Sequence, residues 1–154
     1  MPADRTILPI PVFVTVLVVC FGCSPSLYPL YRDYEVTTED EPVRTLLRES
    51  LEEVGWTLVP GHAPNVLATD VRRLQQWGLY QVVVSLEAAP VGGQYVRVFV
   101  HPYREYVTGH RSKIPYLKGS IRRSVLRDLD VALESRGLLA VGTGISRDRK
   151  HTAQ

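Results

Sequence analysis

The chain has no charge excess of either sign, no apolar run of membrane-spanning length and almost no cysteine. Its formal net charge is +2 over 154 residues, so composition alone points neither to nucleic acid nor to a strongly acidic substrate. The longest uninterrupted apolar stretch, Val12 to Phe21 with one Thr, is about ten residues, whereas a spanning helix needs roughly 20. Pro9 and Pro11 bound any helix there, because proline removes a backbone donor and clashes with the preceding turn. No Gly-x-Ser-x-Gly elbow is present, and Ser and His occur without a spacing that marks a triad. There is no low-complexity tract, and 45% hydrophobic with 22% charged residues is the composition of one globular domain of this length.

Charge is balanced in total but not along the chain. Residues 33 to 53 hold eight acids, Asp33, Glu35, Glu39, Asp40, Glu41, Glu49, Glu52 and Glu53, against Arg44 and Arg48. From Arg97 onward, twelve Lys or Arg face five acids. Such asymmetry orients a domain at a charged surface, or simply reflects solvated helix faces of opposite sign.

Of the two cysteines, Cys20 sits inside the apolar run and Cys23 just after it. Arg5 precedes that run, which has the length of a signal-peptide core. The sequence Val19-Cys20-Phe21-Gly22-Cys23-Ser24 resembles the lipobox of bacterial lipoproteins, with Gly22 as the small residue before the modified cysteine. Cys20 and Phe21 depart from the Leu and small residue usual at their positions. The resemblance implies that residues 1–22 are a cleaved signal peptide, that the Cys23 thiol carries diacylglycerol, and that its new amine is acylated. A thiolate suits such a transfer, and several acyl chains hold a protein stably on a bilayer where one does not. Cleavage would also remove Cys20, leaving no thiol free for a disulfide. Ser24 in place of Asp is compatible, by the enterobacterial sorting rule, with the periplasmic face of the outer membrane. The competing reading is an uncleaved inner-membrane anchor.

The rest of the chain is read from periodicity. Residues 23–33, with Pro25, Pro29 and the apolar Leu27, Tyr28, Leu30 and Tyr31, form an extended lipidated tether. Residues 34–145 form the domain, and residues 146–154 a polar tail. Tyr34 to Thr37 predicts a first strand. Pro42 to Val54 predicts a helix, with Val43, Leu46, Leu47, Leu51 and Val54 as its stripe and Gly55 as its stop. Strand-like pieces follow at 56–60 and 66–71, and residues 72–78 read as a loop or wide hairpin. Alternation over Leu79 to Leu86 and Tyr95 to His101 predicts two strands around the turn signal at 88–93. A strand bent at Pro102, a loop at 109–115, a helix from Pro115 or Tyr116 to Arg136 and a short strand at 138–141 complete the chain.

The expected fold is an α+β two-layer sandwich in the order β-α-β-β-β-α, an antiparallel sheet of three to five strands with two helices on one face. That order, with the helix end Leu51-Glu52-Glu53-Val54-Gly55-Trp56, resembles the BamC-like helix-grip domains of outer-membrane lipoproteins. The resemblance implies fold and location, not activity.

Two groups of residues are candidates for function. Tyr95, Arg97, Phe99 and His101 alternate onto one strand face, and aromatics with Arg are the types enriched at binding hot spots. The alternative is that the tether or a second subunit covers them. The stretch 93–100 also has a distant likeness to an RNA-recognition strand, but its glycine and aromatic spacing is wrong, and no nucleic-acid partner is expected. His101, Glu105 and His110 are candidate metal ligands, although their spacing matches no zinc pattern. The Gly142-Thr143-Gly144 pair lacks the following helix that a phosphate cradle needs. No cofactor is implied. The expected role is a non-enzymatic binding or scaffold component of the bacterial envelope, held to the membrane by Cys23 and partnered by an envelope protein. The rival is a small metal-dependent envelope hydrolase.

Overall fold

The computed structural model describes residues 29–38, 41–117 and 119–143. The expected signal peptide over 1–22, Cys20, Cys23, most of the expected tether and the expected polar tail lie outside the described residues.

The elements run β1 (Leu30–Val36), α1 (Val43–Glu53), β2 (Leu58–Val59), β3 (Leu67–Thr69), β4 (Arg72–Trp77), β5 (Tyr80–Val91), β6 (Tyr95–Tyr106), β7 (Arg111–Lys113), α2 (Gly119–Glu134) and β8 (Leu138–Thr143). The expectation of three to five strands is wrong: one sheet holds eight, in the order β2-β3-β5-β6-β1-β8, with β4 also on β5 and β7 also on β6. The domain is therefore mostly sheet, with two helices. The undercount has a physical origin. Strands β2, β3 and β7 are only two or three residues long, too short for a periodic signal. Strand β4 carries a bulge between Arg73 and Gln75 that breaks its alternation. Residues 30–33, expected to be tether, are strand as well.

The scaffold is the hairpin of β5 and β6, each 12 residues long and paired over its full length, Tyr80 with Tyr106 and Val91 with Tyr95. Shorter strands flank it end to end. β3 and β4 lie along β5, and β1 and β7 lie along β6. Every pairing among the described residues is antiparallel, so directly opposed residues share a face. Pro90 and Pro102 both fall within these strands.

One face of the sheet is the core. Val84, Leu86, Ala88, Val96, Val98, Val100, Tyr34 and Leu138 pack with Leu46, Leu47 and Leu51 of α1 and Val125, Leu126, Leu129 and Leu133 of α2. The helices touch where Ser50, fully buried, donates to the Ala132 carbonyl at 3.3 Å. Helix α1 ends as its sequence predicts. Gly55 at φ +76° donates to the Glu52 carbonyl and Trp56 to the Leu51 carbonyl, the paired bonds of a Schellman cap. Arg72 locks that cap from β4, lying over the Trp56 ring at 3.8 Å and donating to the Val54 carbonyl at 2.9 Å.

The first strand is tied to the last helix by a polar contact inside this core. The Tyr34 hydroxyl donates to Asp130 at 2.7 Å, and the Arg32 guanidinium sits 2.8 Å from the same oxygen without a well-aligned N–H bond. Burial, with the Asp130 charge second, pushes the Tyr34 hydroxyl far above the ordinary phenol range, so it stays a donor. Tyr34→Phe is expected to cost about 1–2 kcal/mol, because Asp130 loses a partner. Tyr34→Ala is expected to cost about 3–5 kcal/mol through the added cavity. Urea midpoints at constant slope measure both, and a Tyr34→Phe midpoint equal to wild type would refute the assignment.

Candidate functional site

Among the described residues the other face of the sheet carries no helix. Register places its residues in rows. Leu139, Glu35, Tyr95 and Val91 form one row across β8, β1, β6 and β5. Gly142, Asp33, Arg97 and Ala89 form the next, and Tyr31, Phe99, Glu87 and Ala68 the third. His101 and Ser85 follow, then Lys113, Tyr103, Val83 and Arg73, then Arg111, Glu105, Gln81 and Gln76. Tyr95, Arg97, Phe99 and His101 thus do share the helix-free face, one per row.

These four are not equally available. Arg97 holds Asp33 through two bonds, Nε at 2.7 Å and Nη2 at 2.9 Å, and lies over the Tyr31 ring at 4.0 Å. The Asp33 carboxylate holds the Arg97 guanidinium above its ordinary range, and the fork geometry orients it. Phe99 stacks on His101, with ring centroids 6.3 Å apart. His101 Nε2 lies 3.3 Å from Glu87, whose second oxygen is 3.5 Å from His62. The middle of the face is therefore half-buried and internally paired, with Tyr31 of β1 covering part of it. The end row is different. Leu139, Tyr95 and Val91 are 47%, 43% and 41% exposed.

The candidate metal ligands are not brought together. His101 and Glu105 are four residues apart on one strand, about 13 Å at the usual rise. Glu105 accepts from Arg111 Nε at 2.8 Å and from Gln81 at 2.5 Å. His110 lies beside the Tyr106 ring at 5.9 Å. Among the described residues no group of three His, Cys, Asp or Glu side chains is gathered to hold a metal. The polar contact that does form, His62–Glu87–His101, joins a loop to two strands, and no spacing in the sequence announces it. Tyr31, one of the tether residues expected as an alternative cover for this face, does lie against Arg97, while the partners that sequence reasoning missed, Asp33, Glu87, Val91 and Leu139, all follow from register, which alternation alone does not supply.

Two hollows lie elsewhere. One of about 260 Å³ is lined by Val43, Leu47, Pro64, Leu67 and Pro90, beside the α1 N-terminus. The other, about 100 Å³, lies on the helix side of the far hairpin end, among Trp77, Tyr80, Arg104, Tyr116 and Ile121. Among the described residues no helix is long and apolar enough to cross a membrane. No family model and no curated protein matches the chain.

The charge network on this face has a pH signature. The Arg111 bond, followed by that from Gln81, holds the Glu105 carboxyl below its usual range. A carboxylate so lowered contributes stability at pH above the ordinary glutamate range, and loses it as pH falls through its own lowered value. Arg111→Ala is expected to return the Glu105 titration toward the ordinary value in a carboxyl NMR titration. An unmoved midpoint would show that the pair does not persist in solution.

Proposed function

We propose that this chain is a lipid-anchored protein of the bacterial envelope that works as a non-enzymatic binding or scaffold component. Cys23 is its anchor, and the helix-free sheet face is its partner surface. The observation that carries the binding role is the row Leu139–Tyr95–Val91. Three apolar side chains from β8, β6 and β5, with Glu35 of β1 between Leu139 and Tyr95, are each more than two-fifths exposed on one face, a grouping that marks a contact surface. Beside them, the bidentate Asp33–Arg97 fork gives a partner a polar rim of defined geometry. The lipobox likeness around Gly22-Cys23-Ser24 supports the anchor, and Ser24 supports the periplasmic face of the outer membrane.

Two measurements test this reading. Intact mass of the membrane-extracted protein is expected to lack residues 1–22 and to carry acyl additions on Cys23, with Cys23→Ala left unprocessed. A wild-type mass that retains those residues without acylation would overturn the anchor. A photo-crosslinker at Tyr95 in living cells is expected to capture a discrete envelope protein, and Leu139→Asp to abolish capture. Failure of Tyr95 to crosslink any protein would overturn the binding role.

A further inference from the structure

The far end of the β5–β6 hairpin, opposite the Tyr95 row, is built from two adjacent turns. The Gly78–Leu79 turn joins β4 to β5, and the Val107–His110 turn joins β6 to β7. They are held together by the Val107 amide, which donates to the Leu79 carbonyl at 3.2 Å. Their tips present Trp77, Leu79 and Val107 at 49%, 74% and 77% exposure. Leu79 and Val107 are the most exposed large apolar residues among those described. Behind them stand Tyr80 and Tyr106, with ring centroids 5.8 Å apart, and Arg104 lies 5.7 Å from the Tyr80 ring. Back along these strands from the tip stand Arg111, in the row of Glu105 to which it is bonded, then Arg73 and Lys113 in the row of Tyr103 on the open face, with Arg104 on the helix side.

We propose that this tip docks on an anionic bilayer surface, with Trp77, Leu79 and Val107 entering the headgroup region and the surrounding cations meeting lipid phosphates. The chemistry is that of an interfacial contact. Trp and Tyr favour the boundary between hydrocarbon and water, and each Lys or Arg near an anionic leaflet adds attraction. The proposal deepens the lipid-anchored reading, and rests on it for one further argument. β1 enters the sheet at Leu30, level with Val100, and runs antiparallel to β6, which continues six residues further to Tyr106. That extension is about 20 Å at the usual strand rise. Only residues 24–29 separate Cys23 from Leu30, a segment that spans at most about 25 Å when fully extended. An acylated Cys23 therefore reaches the plane of the tip and little beyond it, so a domain so tethered stays within reach of tip contact. The Leu139–Tyr95–Val91 row then faces away from the bilayer.

The test uses the protein as isolated from membranes, reconstituted in vesicles of phosphatidylcholine and phosphatidylglycerol with brominated acyl chains. Trp56, buried in the core, serves as the internal reference. Trp77 emission is expected to be quenched and blue-shifted, and Trp77→Phe to remove the quenched component. Leu79→Asp with Val107→Asp is expected to abolish the quenching while Trp56 emission and circular dichroism stay native. Replacing phosphatidylglycerol by phosphatidylcholine is expected to weaken it. Co-flotation with unquenched Trp77 would overturn the tip while leaving the anchor standing. Quenched Trp77 on a chain whose Cys23 carries no acyl group would overturn the anchor while supporting the tip. A chain that neither floats nor is quenched would overturn both. Quenching that survives Leu79→Asp with Val107→Asp would overturn the tip, as would a Trp77 blue shift that follows protein concentration without lipid, which would assign the patch to a second copy.

Discussion

The structure depends on where β1 lies. A seven-residue strand at the start of the described chain pairs with β6 on one side and with β8, the last element, on the other. Tyr34 is at its centre, fully buried, opposite Val96 and Ala140, with its hydroxyl on Asp130 of α2. Without that strand the β8 ladder has no neighbour, and α2 loses the polar contact that fixes its rotation. The pairing spans nearly the whole domain in sequence, so the sheet cannot be completed until late in folding. Buried polar pairs of this kind contribute little net stability compared with an apolar pair, but they penalise wrong arrangements because an unpaired partner is costly. Gly137 reinforces the same junction. Its φ is +78°, its carbonyl accepts from the Thr37 amide and hydroxyl, and a Cβ there would come within 3.2 Å of Thr37 and Thr38.

The same wiring answers the charge asymmetry of the sequence. Acids of residues 33–53 pair with bases of the last half: Asp33 with Arg97, and Glu49 and Glu53 of α1 with Arg136 just past the end of α2. Part of what reads along the chain as a separation of sign is cross-element pairing in the fold. These exposed bridges are worth little individually. The Asp33–Arg97 fork differs, because it is bidentate, half-buried and backed by the Tyr31 ring.

How much of this was legible follows from the kind of signal each part leaves. Helix α1 was readable because its stripe, its start near Pro42 and its Gly55-Trp56 stop agree. The alternation of Val96, Val98 and Val100 against Tyr95, Arg97, Phe99 and His101 correctly separated the two faces. The strand count was not readable. Arg72–Trp77 is largely polar and bulged, so it looks like a loop, and Arg111–Lys113 is held by three pairings that only the β6 partner defines. Nor was the partition of the open face readable. Nothing in the order of residues says that Tyr31 sits under Arg97, or that Leu139 shares a row with Tyr95, because register is fixed by tertiary pairing.

Register also explains why the two ends of one hairpin differ so much in character. In the middle of β5 and β6 the outward-facing side chains find partners on the same face. Phe99, His101 and Arg97 are consequently occupied. At either end apolar side chains stay more than two-fifths exposed, Leu139, Tyr95 and Val91 at one and Trp77, Leu79 and Val107 at the other. Leu139 lies on β8, the last strand of the sheet among the described residues. The bulge between Asp33 and Tyr34 shifts its pairing with β1, a device that discourages further strands from adding. At the opposite end the turns themselves protrude, and their convex tips suit a deformable surface better than a matching protein groove. A single sheet therefore has two apolar ends of different shape, one a flat row and the other a pair of points, which favours two different kinds of neighbour.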